Sequence, residues 1–345
     1  MTRPIALGTA MTLALAAPAF AQDLLVFDYS GFENPAYHEA FIDAHGASPE
    51  FVFFGDEDEA FQRLLAGFRS DVTHICAGSV PRWQASGIIE PWDRTRIAAY
   101  ETLNSDLVGA DVLEGSAELF FLPSDYGSTA IVYNSDEVPA EDVASLEIFN
   151  NPAYAGRLSI PDNVDDAYAL AYLATGVTDW SDVTDAQFEA ATEWLRGIHP
   201  NLVNYWVDPA ELQQLMASGQ VLAAWAWNEV PVSLAAQGFP TGFSRNTAEG
   251  TSVWLCGYVN MAEGEGSEDQ AYDYVNALLS EASAGPLLEN GFGSANDAAL
   301  EALGTEAMEA AGLGEVDVPV LAQLPISNEQ RERQAAAFER IKAGF

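Results

Sequence analysis

Basic residues are scarce in this sequence: 13 lysines and arginines stand against 52 aspartates and glutamates, a formal charge of −39 over 345 residues. A field of that sign repels phosphate backbones and anionic lipid surfaces, so nucleic acid is excluded as a partner. The acids are spread along the whole chain, as solubility alone would have them. Histidine is rarer still, with four copies. His38 and Glu39 open like a zinc-protease helix, but Ile42 stands where the second histidine is required and His45 lies too far along. His74 and His199 have no histidine or cysteine at ligand spacing and are read as structural or surface residues. Asp56-Glu57-Asp58-Glu59 has the composition of a calcium loop, yet Phe61 replaces the turn glycine and Gly67 the bidentate glutamate, so it reads as a helix N-terminus. Gly291-Phe292-Gly293 starts a dinucleotide turn and then meets Asn296 where the third glycine belongs. A Gly-x-Ser-x-Gly elbow and a P-loop are both missing. No enzyme, cofactor or metal is therefore expected.

Long apolar runs are missing too, except at the start. Arg3 precedes an uncharged stretch through Met11, Leu13, Leu15 and Pro18 that closes on Ala19-Phe20-Ala21, the small-residue pattern of a cleaved export signal. Residues 1–21 are read as that leader; Gln22 stands where a lipid-anchored protein has cysteine. Its removal leaves 324 residues with a charge of −40, a length that favours two lobes over one core. The two cysteines, Cys76 and Cys256, would then sit in an oxidising compartment, either as one disulfide or as two buried thiols.

What is present is an alternation of strands and helices. Asp23 to Asp28 reads as a strand that empties into Tyr29-Ser30-Gly31-Phe32. Asn34 and Pro35 cap a helix that Gly46 ends. Glu50 to Phe54 and Val72 to Ala77 read as strands around a helix carrying Phe61, Leu64, Leu65 and Phe68 on one side. Leu158 to Ile160, Val221 to Trp227 and Val253 to Met261 read as further strands. Thr184 and Gln187 form a capping box before a helix with Phe188, Ala191, Leu195 and Ile198 on one face, and Ser327 with Gln330 caps a terminal helix. Short loops between such units indicate parallel βαβ architecture. Open α/β sheets place ligands at strand ends. Those ends carry Tyr29, Ser30 and Phe32; Ala77, Gly78 and Ser79; Asp162, Asp165 and Asp166; and Trp225, Trp227, Asn228 and Glu229. Aromatic faces beside carboxylates suit an ammonium group.

Phe27-Asp28-Tyr29-Ser30-Gly31-Phe32, Gly87-Ile88-Ile89-Glu90-Pro91-Trp92-Asp93, Ala130-Ile131-Val132-Tyr133-Asn134 and the segment from Ala217-Ser218-Gly219 to Trp227 together resemble the periplasmic solute-binding proteins of ABC importers, in the branch of the spermidine and putrescine receptors. The resemblance implies a type II periplasmic binding protein, two α/β lobes closing on a ligand, with crossovers near 125–129, 236–240 and 290–293. The expected N-terminal lobe is 22–125 with 238–290, and the C-terminal lobe 126–237 with 291–345. That topology sets the strands of Cys76 and Cys256 side by side and so implies the disulfide. It also implies Tyr29, Ser30, Phe32, Asp165, Asp166 and Trp227 as ligand residues; the strand ends add Ala77 and Ser79, Glu229 stands in for a lost carboxylate, and Trp254 completes the expected ligand set. The sequence departs from the putrescine receptors at Gly31 and Cys256, where they carry aspartate, and at Gly293, where they carry tyrosine. The expected function is a monomeric, exported receptor that delivers an amine or polyamine-like cation to a membrane permease. A neutral or zwitterionic solute is the alternative ligand, and a secreted hydrolase the alternative of another class. A ferric-iron receptor would need clustered tyrosines, and Tyr126 and Tyr133 stand alone.

Overall fold

The computed structural model describes residues 24–104 and 117–345, so the leader lies outside the described residues. Twelve strands share one sheet: β1 (Leu25–Asp28), β2 (Glu50–Phe53), β3 (Val72–Cys76), β4 (Ile89–Glu90), β5 (Leu122–Asn134), β6 (Leu158–Pro161), β7 (Leu202–Trp206), β8 (Ala223–Trp227), β9 (Thr241–Ser244), β10 (Thr251–Met261), β11 (Gly293–Ser294) and β12 (Val320–Ala322). The main path runs β2-β1-β3-β10-β5-β8-β6-β7. β1, β2 and β3 are mutually parallel at one end, and β6, β7 and β8 at the other. Helices cover both faces of such a sheet, which is why Val26, Phe27, Val72 and Ile75 are wholly buried on consecutive as well as alternate positions.

Local signals in the sequence set the helix ends. Asn34 Oδ1 accepts from Ala36 N, but the first helical turn, Pro35–Tyr37, is 3₁₀, and the α-helix proper is Glu39–His45, stopped by Gly46 at φ 84°. Asp56 caps Glu57–Leu65 by accepting from Glu59 N at 2.8 Å. The Thr184–Gln187 box and the Ser327 cap form as expected. Four strands are shorter than the runs read for them: Leu24 lies outside β1, Phe54 outside β2, Ala77 outside β3, and Val221 with Leu222 outside β8.

β5 and β10 join the two lobes. β5 pairs with β10 from Leu122 to Thr129 and with β8 from Thr129 to Tyr133. On one side of this junction Phe32, Trp92, Tyr258, Tyr274 and Phe292 share a core, and on the other Tyr168, Trp180, Trp225, Leu321 and Phe338 share another. The segments around 237/238 and 290/291 make contacts as follows. β9 pairs with Ile131 to Asn134, and Glu249 accepts from Ser145 and Leu146, which keeps residues 241–249 beside the second lobe. Phe292 and Ala295 pack in the first core, while Leu321 and the terminal helix Asn328–Lys342 complete the second. Crossings this short change neither hydropathy nor charge, so the sequence pattern carries no mark of them.

Candidate functional site

A cleft with a cavity of about 160 Å³ lies between the lobes, at the carboxyl ends of β1, β3, β6, β7 and β8. That volume suits a small solute. Of the residues expected at the site, Tyr29, Ser30, Phe32, Asp165, Asp166, Trp227, Glu229 and Trp254 line the cleft, as do Cys76 and Cys256. Ala77 and Ser79 do not. After β3 the chain turns through the 3₁₀ segment Ala77–Ser79, which carries both side chains inward to 2% and 0% exposure.

Ser79 instead serves Glu57, a carboxylate in the first turn of the helix Glu57–Leu65. Its Oγ donates to Glu57 Oε2, while Tyr29 Oη and Cys76 N donate to Glu57 Oε1 at 2.9 and 2.7 Å. The Asp56 cap orients this first turn so that Glu57 is buried against the cleft. Burial pushes the Glu57 carboxyl up, with Arg331 pulling the other way. Burial, then Glu57, pushes the Tyr29 phenol well above its ordinary range, so Tyr29 stays a donor.

Beneath Tyr29 and Phe32 lies a charged row. His74, 0% exposed, contacts Asp28 Oδ1 through Nδ1 at 2.8 Å and Asp125 Oδ1 through Nε2 at 3.0 Å. Its ring stacks on Tyr258 with centroids 4.6 Å apart and meets the edge of Phe32 at 4.4 Å. Burial opposes its charge, but Asp125 and Asp28 outweigh that and raise the imidazole to about 10, so it is an imidazolium at neutral pH. His74 and Asp125 both line the cleft, and the sequence reading marked neither as a site residue. A histidine in the middle of the apolar strand Val72–Cys76 was the available signal.

On the facing wall, Asp166 accepts from Thr129 Oγ1, Trp227 Nε1 and Gln323 Nε2 at 2.6, 2.7 and 2.9 Å, which fixes the indole and joins β5, β8 and the segment after β12. Asp165 pairs with Arg331 at 3.5 Å, and its Oδ1 has no partner. The same guanidinium reaches Asp58 at 2.9 Å on the other lobe, so the lobes touch through it. Asp162 is matched by Lys342 at 2.5 Å. Glu229 has no hydrogen-bond or ion-pair partner among the described residues, and burial, with Asp208 beside it, raises its carboxyl to about 7. Eight carboxylates line the cleft against one imidazole, and no described lining residue is a lysine or arginine.

Cys76 and Cys256 face each other across the β3–β10 pair and are disulfide-bonded. The aspartate position that Cys256 takes is thus given to a bridge, and the acid lost there has neighbours in Asp125, paired to Cys256 on β5, and Glu57. Gly127 lies on β5 because a Cβ there would sit 2.2 Å from the Trp254 ring, so the glycine lets the indole lie across the hinge strand. At Gly293 a Cβ would meet the Tyr126 ring at 2.5 Å; Tyr126 occupies the room that a tyrosine at 293 would need. Neither Tyr126 nor Tyr133 lines the cleft.

The family model of the bacterial extracellular solute-binding proteins matches residues 36–312. The putrescine-binding periplasmic protein PotF of Escherichia coli K12 is 22% identical over 98% of this chain and 96% of its own. Among solved structures, the spermidine/putrescine substrate-binding protein PotD of Streptococcus pneumoniae superposes with a TM-score of 0.71 at 17% identity, over 94% of this chain and 99% of that one. MotA of A. tumefaciens B6, solved with glucopine, gives 0.72 at 17% identity over the same shares. The structures establish the two-lobed fold, and the match from 36 to 312 spans strands of both lobes; the chain belongs to the bacterial extracellular solute-binding proteins, a family of receptors and not of enzymes.

Proposed function

We propose that this protein is the exported, periplasmic receptor of an ABC importer, that it acts as a monomer, and that its cleft takes an amine-bearing cation for delivery to a membrane permease. The leader read in residues 1–21 and the Cys76–Cys256 bridge support an oxidising compartment. The relatives named for putrescine and spermidine support the ligand class. The observation that carries it is the charge of the cleft: eight carboxylates with no lysine or arginine among the described lining residues, one of them, Glu229, without any partner. An unpaired carboxylate in such a site is stabilised by a cation that arrives with the ligand. Tyr29, Phe32, Trp227 and Trp254 would flank the alkyl chain, with Ser30 at the rim and Asp165, Asp166 and Glu229 on the facing wall. Contacts to both lobes favour the closed state over the open one.

Putrescine and spermidine at a hundred times their dissociation constants stabilise the protein by about 2.7 kcal/mol, read as a rise in melting temperature. A panel in which only uncharged solutes raise it overturns the cation reading. A zwitterion is the second reading, favoured by Trp254 Nε1, a buried donor without a partner that could meet a carboxylate.

Glu229 gives a second test, through pH. The folded protein holds this proton up to about pH 7, whereas an unfolded glutamate releases it near 4.5. Between those values the unfolded state binds fewer protons, so the contribution of Glu229 to stability falls as pH rises through the window and is lowest above it. Glu229→Gln removes that cost: the ligand-free variant gains about 2 kcal/mol at pH 8 relative to pH 4, after allowance for partial exposure. An amine must displace the proton, so wild-type affinity rises with pH up to about 7 and levels off. A flat wild-type profile across pH 5–8 contradicts the assignment.

A further inference from the structure

The row Asp28–His74–Asp125 has more acceptor capacity than its own contacts use. His74 stands between two carboxyl groups, one at each ring nitrogen. Asp28 spends both oxygens: Oδ1 accepts from His74 and from Tyr29 N at 2.8 Å, and Oδ2 accepts from Tyr258 Oη at 2.7 Å. Asp125 spends one. Its Oδ1 takes His74 Nε2 at 3.0 Å and Ser124 Oγ at 2.5 Å, while Oδ2 has no hydrogen-bond partner although the residue is only 1% exposed. Asp125 lines the cleft. A buried carboxylate oxygen left unpaired is costly unless a donor reaches it, and the described protein supplies none.

We propose that Asp125 is a ligand anchor, that its Oδ2 accepts an N–H or O–H group of the solute, and that His74 is the positioning residue that fixes Oδ1 and so aims the free oxygen. The proposal rests on the reading that this cleft holds a solute, but it concerns the acceptor and applies to a cation or to a neutral donor alike. Three observations support it. The His74 ring cannot swing away, because Asp28 holds Nδ1, Tyr258 stacks on one face and Phe32 meets it edge-on. Asp125 is paired to Cys256 and to Ser294, so its backbone is fixed on both sides. It lies on β5, the strand that pairs with β10 in one lobe and β8 in the other, so a donor bound there sits where the lobes join.

The substitution Asp125→Asn keeps an oxygen for His74 and puts an amide N–H₂ where Oδ2 was, turning acceptor into donor. Calorimetric titration uses whichever of putrescine, γ-aminobutyrate and glucose raises the wild-type melting temperature most. The dissociation constant of D125N is expected to rise at least thirtyfold, with far-ultraviolet dichroism unchanged; a change below threefold overturns the proposal. If glucose is the solute that binds, the cation reading fails while this test stands, since sugar hydroxyls donate to a carboxylate as well. The positioning role is read by ¹⁵N NMR of the His74 ring in wild-type protein without solute. Both nitrogens protonated at pH 8 supports it, and a neutral ring overturns it. If none of the three raises the melting temperature, the cleft takes neither an amine nor a hydroxyl donor at Asp125 and the anchor proposal is overturned.

Discussion

The double variant Cys76→Ala/Cys256→Ala is expected to lose about 2–5 kcal/mol of unfolding free energy, the typical cost of removing a native bridge. Its two ends lie side by side on β3 and β10, but 180 residues separate them in sequence. The loop that the bridge closes therefore contains the whole of β4 to β9, including the first pass through the second lobe. In the chain-entropy account a loop of this length is near the top of the range, because the bridge removes conformations chiefly from the unfolded chain. Urea titration with and without a thiol reductant measures the same quantity in the wild-type protein. A loss below about 1 kcal/mol in both experiments means that the unfolded chain stays compact without the bridge.

Arg331→Met carries the second large effect. Arg331 is 6% exposed and lies between Asp165 of its own lobe and Asp58 of the other. Burial disfavours its charge, but Asp165, Asp58 and Glu57 outweigh burial and raise the guanidinium further. Removing it leaves Asp165 buried without a counter-ion, and breaking such a pair from one side costs about 3–5 kcal/mol. The lower end is expected here, about 3 kcal/mol, because the Asp58 side chain is 45% exposed and water screens that half of the contact. The cleft should also open, since this ion pair spans the two lobes. Small-angle scattering of the variant reads that as a larger radius of gyration at unchanged mass. If the variant keeps both its stability and its radius, the guanidinium does not hold the lobes together.

The elements that sequence reading found are those whose signals are local. Caps at Thr184 and Ser327, the acidic helix start at Asp56 and the stop at Gly46 act within a few residues, so they can be read one segment at a time. The strand-end aromatics and acids were found for a similar reason: parallel strands present their carboxyl ends to one cleft, and those ends can be seen in the pattern. Glu57, His74 and Asp125 were missed because their roles are set by partners far along the chain. Asp28 and His74 are 46 residues apart, and His74 and Asp125 are 51. Nothing near His74 in sequence says that two carboxylates will flank it. Ser79 shows the converse: it follows a strand end, as a ligand residue would, yet a single 3₁₀ turn moves it from the cleft to the support of Glu57.

The division of each lobe along the chain bears on how the protein is made. β10, at residues 251–261, fills the place between β3 and β5, so the first lobe lacks its central strand until three-quarters of the chain exists. The second lobe takes Leu321, Phe338 and Ile341 into its core, within the last 25 residues. The first core therefore waits for β10, Phe292 and Ala295, and the second for the helix Asn328–Lys342. Pairings across such distances are slow to form, so β3 and β5 stay apart until β10 is made, and the second lobe is completed after the first.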